Sequence, residues 1–226
     1  IQLKYINNLA AASETAETLL ESLQKGKKEG GSASDQFFQT SAVNFLAACI
    51  YFFCNWEKKT YDKDGNMLIA EKVQDKHTLR MIRTGRVFDK MGNEVEPAYW
   101  LGKYSDMPHI LSFLNESYQT IFEVLETDNE VAPLLGPFQT ALKNRAMEQL
   151  EGMIGTLRVY TSRLATKESY WIFHKDGDDF DLKVSDPKNP SYLLIANDPE
   201  MESIIGALNA LILNRLVTRV NTGQGK

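Results

Sequence analysis

Four aspartates fall within six residues, Asp176, Asp178, Asp179 and Asp181, and carboxylate oxygens at that density are the ligands a divalent cation takes. A solvated turn between two short strands is the plainer reading of the same residues. Asp62-x-Asp64-Gly65 opens like a calcium loop but lacks the later ligands and the closing glutamate, so it reads as a β-turn. His77, His109 and His174 are far apart, and none stands four residues from another histidine or a cysteine, which leaves no zinc motif and no triad. Cys49 and Cys54, the only cysteines, have neither a zinc spacing nor a disulfide framework and suit a reducing compartment. These residues assign no catalytic, cofactor-binding or metal-ligating position.

Binding chemistry is better represented. Lys143, Arg145, Arg158, Arg163 and Lys167 stand against Glu148 and Glu151, a local net charge of +3 in a chain of net charge -5. Such a stripe can meet phosphates, and Tyr160 within it can stack on a base; Lys143, Arg145, Arg158, Tyr160 and Arg163 are the candidate DNA-binding residues. A solvated helix face laced with ion pairs is the competing reading. Lys25, Lys27 and Lys28, beside glycines, are a weaker second patch. Trp56, Trp100 and Trp171 read as core or interface anchors.

The elements that must position these side chains follow from periodicity. With 226 residues, 43% hydrophobic and 24% charged, the chain has the composition of a globular protein of one or two domains. Its acidic balance excludes a global field drawing it onto nucleic acid or an anionic membrane. Apolar residues at three- and four-residue steps predict a helix over Ile1 to Lys25, followed by a glycine-rich loop from Gly26 to Ser34. The stretch "DQFFQTSAVNFLAACIYFFCNWEKK" opens behind a capping box at Ser32 and Asp35, and its apolar run from Ala42 to Cys54 has no polar face. At 13 residues that run is too short to cross a bilayer, so the helix is expected at the centre of a core.

"DKDGN" and "DKMGNEVEP" signal two turns, with Arg86 to Lys90 and Glu94 to Tyr99 pairing as a short hairpin around Met91-Gly92-Asn93. Helices are predicted over Met107 to Leu125, opened by Asp106 and Pro108, and from Glu130 or Pro137 to Leu164. "SYWIF" and "DFDLKV" read as strands, and Tyr192 to Ala196, "YLLIA", as a strand buried on both faces. Asn197-Asp198-Pro199-Glu200 then starts a long apolar helix that stops at Asn221-Thr222-Gly223. A strand feeding a helix is half of a βαβ unit, and its partner strand is expected from elsewhere in the chain or from a parent protein of which this is a piece.

Several of these residues, in this order, resemble one family. They are Asp35-x-Phe37-Phe38 opening an apolar helix; a helical region ending in Ser162-Arg163-Leu164; "YWIF" and "DDFDL"; and "NPSYLLIANDPEMESIIGALNALILNRLV". The family is the coupling proteins of conjugative type IV secretion, the TraG/TraD class of DNA-translocating ATPases, in the mobilisation versions of Bacteroides-like bacteria. The resemblance implies a mainly α chain: an all-helical domain at 58–165, which here would include the hairpin, inserted into a partial RecA-like α/β motor core formed by 1–57 and 166–226, with a small strand component at the C-terminal end. It implies a homo-hexameric parent that binds ATP and magnesium, is anchored at the inner membrane through another segment and works on the cytoplasmic side. This part would lie in the cytoplasm, make no membrane contact and dock single-stranded DNA, or the relaxase or adaptor proteins of the relaxosome.

The family's phosphate-binding loop is missing. Gly223-Gln224-Gly225-Lys226 follows a helix, lacks the first glycine at the right distance and precedes no Ser or Thr, and the acidic magnesium-binding pair would lie beyond Lys226. The fragment is therefore expected to hold no cofactor and no ATPase activity of its own. Two alternatives remain open: a module that binds only protein, and a small metal-dependent enzyme built on Asp176 to Asp181.

Overall fold

The computed structural model describes residues 3, 6–24, 33–77, 79, 81–174 and 192–221. The fold is mainly helical, 58% helix, with one small four-stranded antiparallel sheet. Helix α1, Leu9–Leu23, starts later than its periodicity suggests, because the Asn8 carboxamide oxygen accepts from the Ala11 amide and caps it there. Leu3 and Ile6 are nevertheless buried in the core ahead of it.

Helix α2, Ala33–Asn55, is the centre. Every residue from Phe45 to Cys54 is buried, so packing surrounds it on all sides. Its 23 residues, longer than the apolar run alone, have the length and hydropathy to cross a membrane, yet most of the apolar window is enclosed by protein. Phe45 meets Phe138 at 5.2 Å and Phe122 at 6.1 Å between ring centroids, and Phe53 meets Phe113 at 4.9 Å. The helix stops where Glu57 takes a left-handed φ of 45°.

The chain then enters the sheet: β1 (Lys59–Tyr61), β2 (Met67–Gln74), β3 (Met81–Phe88) and β4 (Tyr99–Leu101), in the spatial order β3-β2-β1-β4. Both expected turns form, and they are the same device. In Asp62–Asn66 and in Asp89–Asn93 the leading aspartate accepts the amides two and four residues on, while Gly65 and Gly92 adopt φ of 82° and 87°. Asp62-x-Asp64-Gly65 is thus a turn whose first carboxylate is spent on its own backbone. The expected hairpin partner of Arg86 to Lys90 differs. Only Phe88 and Glu94 bridge there, and β3 pairs along its length with β2. The segment after Glu94 leaves to place β4 beside β1, where Ala98 donates to the Tyr61 carbonyl.

Strands therefore lie at 59–101, inside the region expected to be helical apart from a short hairpin, and among the described residues none lies at the C-terminal end. "SYWIF" is not a strand but most of helix α8, Lys167–Phe173; its β-prone side chains yield to the Thr166 cap, whose hydroxyl accepts from the Ser169 amide, and to the burial of Ser169 and Phe173, one helical turn apart. Tyr192 to Ala196 is neither helix nor strand and pairs with no strand among the described residues, and Tyr192 and Leu194 are 99% and 93% exposed. "DFDLKV", the Asp176–Asp181 cluster, Lys25, Lys27, Lys28, Ser32 and Gly223 to Lys226 lie outside the described residues.

Two expected long helices are broken. The first is α3, Met107–Phe113, capped by Asp106, and α4, Tyr118–Leu125, capped by Ser117. The second is a 3-10 turn at Ala132–Leu135, then α5 (Gly136–Lys143), α6 (Met147–Leu150), a π-helical turn at Glu151–Gly155 and α7 (Thr156–Ser162). Arg145, at φ 56°, makes the break after α5. Gly152 marks the π turn, since a Cβ there would stand 2.8 Å from the Phe38 ring. The last helix, α9 (Glu202–Asn221), starts at Asp198 and Pro199 as expected and buries Ala207, Leu208 and Leu211. No described strand shows the parallel pairing of a motor core.

Sheet and core meet at Gly102, where an added Cβ would lie 2.2 Å from the Phe53 carbonyl oxygen and 2.7 Å from that of Cys54. Gly102→Ala is expected to destabilise by about 1–3 kcal/mol in urea unfolding. Gly136→Ala, which meets open space at a helix start, should leave the midpoint unchanged or raise it.

Candidate functional site

The five residues of the basic stripe are placed by the broken helix, and they separate into two groups. Lys143, in the last turn of α5, and Arg145, in the left-handed break, are exposed. Arg158 turns inward. Its Nε donates to the Leu114 carbonyl at 2.7 Å and its Nη2 to the Glu116 carbonyl at 2.8 Å, while its guanidinium lies 4.4 Å from the Tyr118 ring centroid. Leu114 is the C-cap of α3 and Glu116 lies in the linker before the Ser117 cap of α4, so Arg158 closes the end of α3 and ties down the linker.

Arg163 does the same for α1, donating from Nη1 to the Leu23 carbonyl at 3.0 Å. Tyr160, beneath Arg163 with 5.7 Å between guanidinium and ring centroid, is only 5% exposed and cannot offer its face to a base. A shallow hollow beside it is lined by Thr156, Val159, Tyr160 and Arg163. The stripe is thus divided: Arg158, Arg163 and the aromatic ring tie helices together, although Arg163 remains exposed, and Lys143 and Arg145 face solvent elsewhere on the broken helix.

Other chemistry is sparse. Asp106 is buried, and its Oδ1 lies 2.5 Å from His109 Nδ1, an acid–imidazole pair that the sequence spacing missed. The neighbouring hydroxyl, Ser105, donates to the Gly102 carbonyl, so no nucleophile faces the imidazole from there. Burial pushes the Cys49 thiol far above its ordinary range, and Cys54 donates to the Leu3 carbonyl. Among the described residues no group of His, Cys, Asp and Glu could hold a metal.

The most distinctive surface is on the sheet. Side chains alternate, and Thr60, Leu68 and Val87 are buried on the inner face. The register places Tyr99, Tyr61 and Met67 in one row across β4, β1 and β2 on the other face. The tyrosine rings stack at 5.1 Å and 13°. Along β2 the row continues through Ile69 and Val73; Met67, Ile69 and Val73 are 53%, 59% and 43% exposed. The cation at its border, Arg86, is held by Glu71 and Glu94. Sequence reading missed this face because strands were expected elsewhere, although the short continuous apolar run Met67-Leu68-Ile69-Ala70 after the Asp62–Asn66 turn was there to find.

Comparisons with protein-family models, with curated proteins and with solved structures find no match.

Truncating Arg158 leaves two carbonyls without their donor, so Arg158→Met should cost about 1.5–3 kcal/mol by chemical denaturation. Arg145→Gly relieves a left-handed residue and is expected to stabilise by about 1 kcal/mol in the same assay. Lys143→Ala should be close to neutral.

Proposed function

We propose that this chain is the substrate-docking part of a DNA-translocating coupling ATPase of conjugation, and that it docks through the outer face of the sheet. The observation that carries docking is that row of exposed Met67, Ile69 and Val73, interrupted by Glu71 and flanked by the half-buried, stacked Tyr61 and Tyr99, since exposed apolar side chains grouped on one sheet face are the usual mark of a protein contact. The motor context rests on the resemblance of the sequence. It is supported by the apolar segment Tyr192–Ala196, whose Tyr192, Leu194 and Ala196 are exposed and which precedes α9 as a strand of a larger sheet would.

The partner favoured at this face is a relaxase or adaptor protein of the relaxosome. Its border arginine is neutralised by two glutamates, and of the residues that would have met DNA at α7, Tyr160 is buried, Arg158 is half-buried on two carbonyls, and the exposed Arg163 is engaged by the Leu23 carbonyl. Direct contact with single-stranded DNA through Lys143 and Arg145 is the second reading.

A pull-down and calorimetric titration with the relaxase of the same mobile element tests this. Ile69→Lys is expected to abolish binding while leaving the unfolding midpoint within about 0.5 kcal/mol, because the side chain is exposed. Relaxase binding unaffected by Ile69→Lys would overturn the assignment of the face. Single-stranded DNA binding with a salt slope that shrinks in Arg145→Ala would favour the second reading. The isolated chain should bind no ATP, and micromolar affinity would contradict its place outside the nucleotide site.

A further inference from the structure

We propose that the far end of the β2–β3 hairpin is a lipid contact, which buries Leu79 and Met81 in an anionic membrane surface while Lys72, Lys76 and Arg83 meet its headgroups. This departs from the expectation that the region makes no membrane contact. The register places the parts. Lys72 stands directly opposite Arg83 and Gln74 opposite Met81, two steps along one face of the ribbon. Among the described side chains from Lys72 to Arg86, only Asp75 is partly buried. The sequence from Lys72 to Arg83 carries four Lys and Arg against one Asp, a local net charge of +3 in a chain of net charge -5.

Like charges directly opposite each other are unfavourable in a sheet. Arg86, nearer the bundle, is compensated by Glu71 and Glu94, but among the described residues Lys72, Lys76 and Arg83 form no ion pair. At the turn Leu79 takes a left-handed φ of 56°, unfavourable for a leucine, and two bonds hold it there. Its amide donates to the Asp75 carbonyl at 2.9 Å, and its carbonyl accepts from Gln74 Nε2 at 3.0 Å. The side chain that this backbone presents is 70% exposed, and Met81 is 60% exposed. Apolar tip and uncompensated cations are thus fixed on one short ribbon.

A lipid surface answers both features. Aliphatic side chains gain by entering the acyl boundary, and each Lys or Arg near an anionic leaflet adds about fivefold to the affinity. A nucleic-acid backbone would take the cations and leave Leu79 and Met81 in water, and from Lys72 to Val87 the sequence has no Phe, Tyr or Trp to stack on a base. A stable protein interface needs about 20–30 residues a side, more than the end of a two-stranded ribbon presents. Leu79 and Met81 are not part of the docking row Met67, Ile69 and Val73, so the two readings stand or fall separately.

The experiment is cosedimentation of the whole chain with vesicles of phosphatidylcholine, alone and mixed with phosphatidylserine, at about 0.1 M salt. The mixed vesicles should bind the chain, the neutral ones should bind it about tenfold less or weaker still, and about 1 M salt should remove the difference. Lys72→Ser and Arg83→Ser should each weaken binding about fivefold. Leu79→Asn, which keeps the charge and suits a left-handed φ, should weaken it about tenfold. Near-ultraviolet circular dichroism checks that each variant folds as the parent does. Ile69→Lys should leave vesicle binding at least as strong, whatever it does to a protein partner. No sedimentation with mixed vesicles, equal binding to both vesicle types, full binding by Leu79→Asn or loss of binding in Ile69→Lys would overturn the proposal, as would binding of an oligonucleotide duplex in place of vesicles.

Discussion

A helix that is apolar on every side cannot persist in water, and α2 imposes that constraint on the whole molecule. Phe45 to Cys54 must be enclosed, and α1, α4, α5 and the π turn do so, with Phe45 against Phe122 and Phe138 as the densest contact. The same helix sets where the sheet attaches. Its final carbonyls approach Gly102 too closely for any side chain there, and its last residues, Asn55 and Trp56, meet Lys58 and Lys103 of the flanking segments. Beyond that junction the β2–β3 hairpin packs on its own strands more than on the bundle, which is why one face remains exposed.

The arginines show how little a charge count says about use. Arg158 and Arg163 belong to the most basic stretch of the helical region, and both are spent on carbonyls at the ends of other helices, where a guanidinium supplies donors that the backbone lacks. Residues 58–101 carry nine Lys and Arg against seven Asp and Glu, so the sheet region is net positive while the rest of the chain is net -7.

What could be read from the chain followed the strength of local signals. The centre of α2, the Asp106, Asp198 and Pro199 starts, and both Asp-Lys-x-Gly-Asn turns were legible, because each depends on a side chain acting within a few residues of itself. The breaks at Arg145 and Ser117 were not, since an arginine in a left-handed conformation and a serine cap inside an amphipathic pattern leave the hydrophobic period intact. "SYWIF" misled because aromatic and β-branched residues favour strands only when a ladder is present, and here a threonine cap was nearer. The basic stripe was found, but its partners are 44 and 140 residues away in the chain, a separation that periodicity cannot register.

Native-state hydrogen exchange across a denaturant series tests this hierarchy most directly. The amides of Phe45 to Cys54 should exchange only through global unfolding, while those of β2 and β3 beyond Glu71 open at a distinctly lower free energy with α2 still protected. Exchange of α2 before the hairpin, or one common opening energy for both, would contradict a fold organised around that helix with the sheet as an outlying appendage.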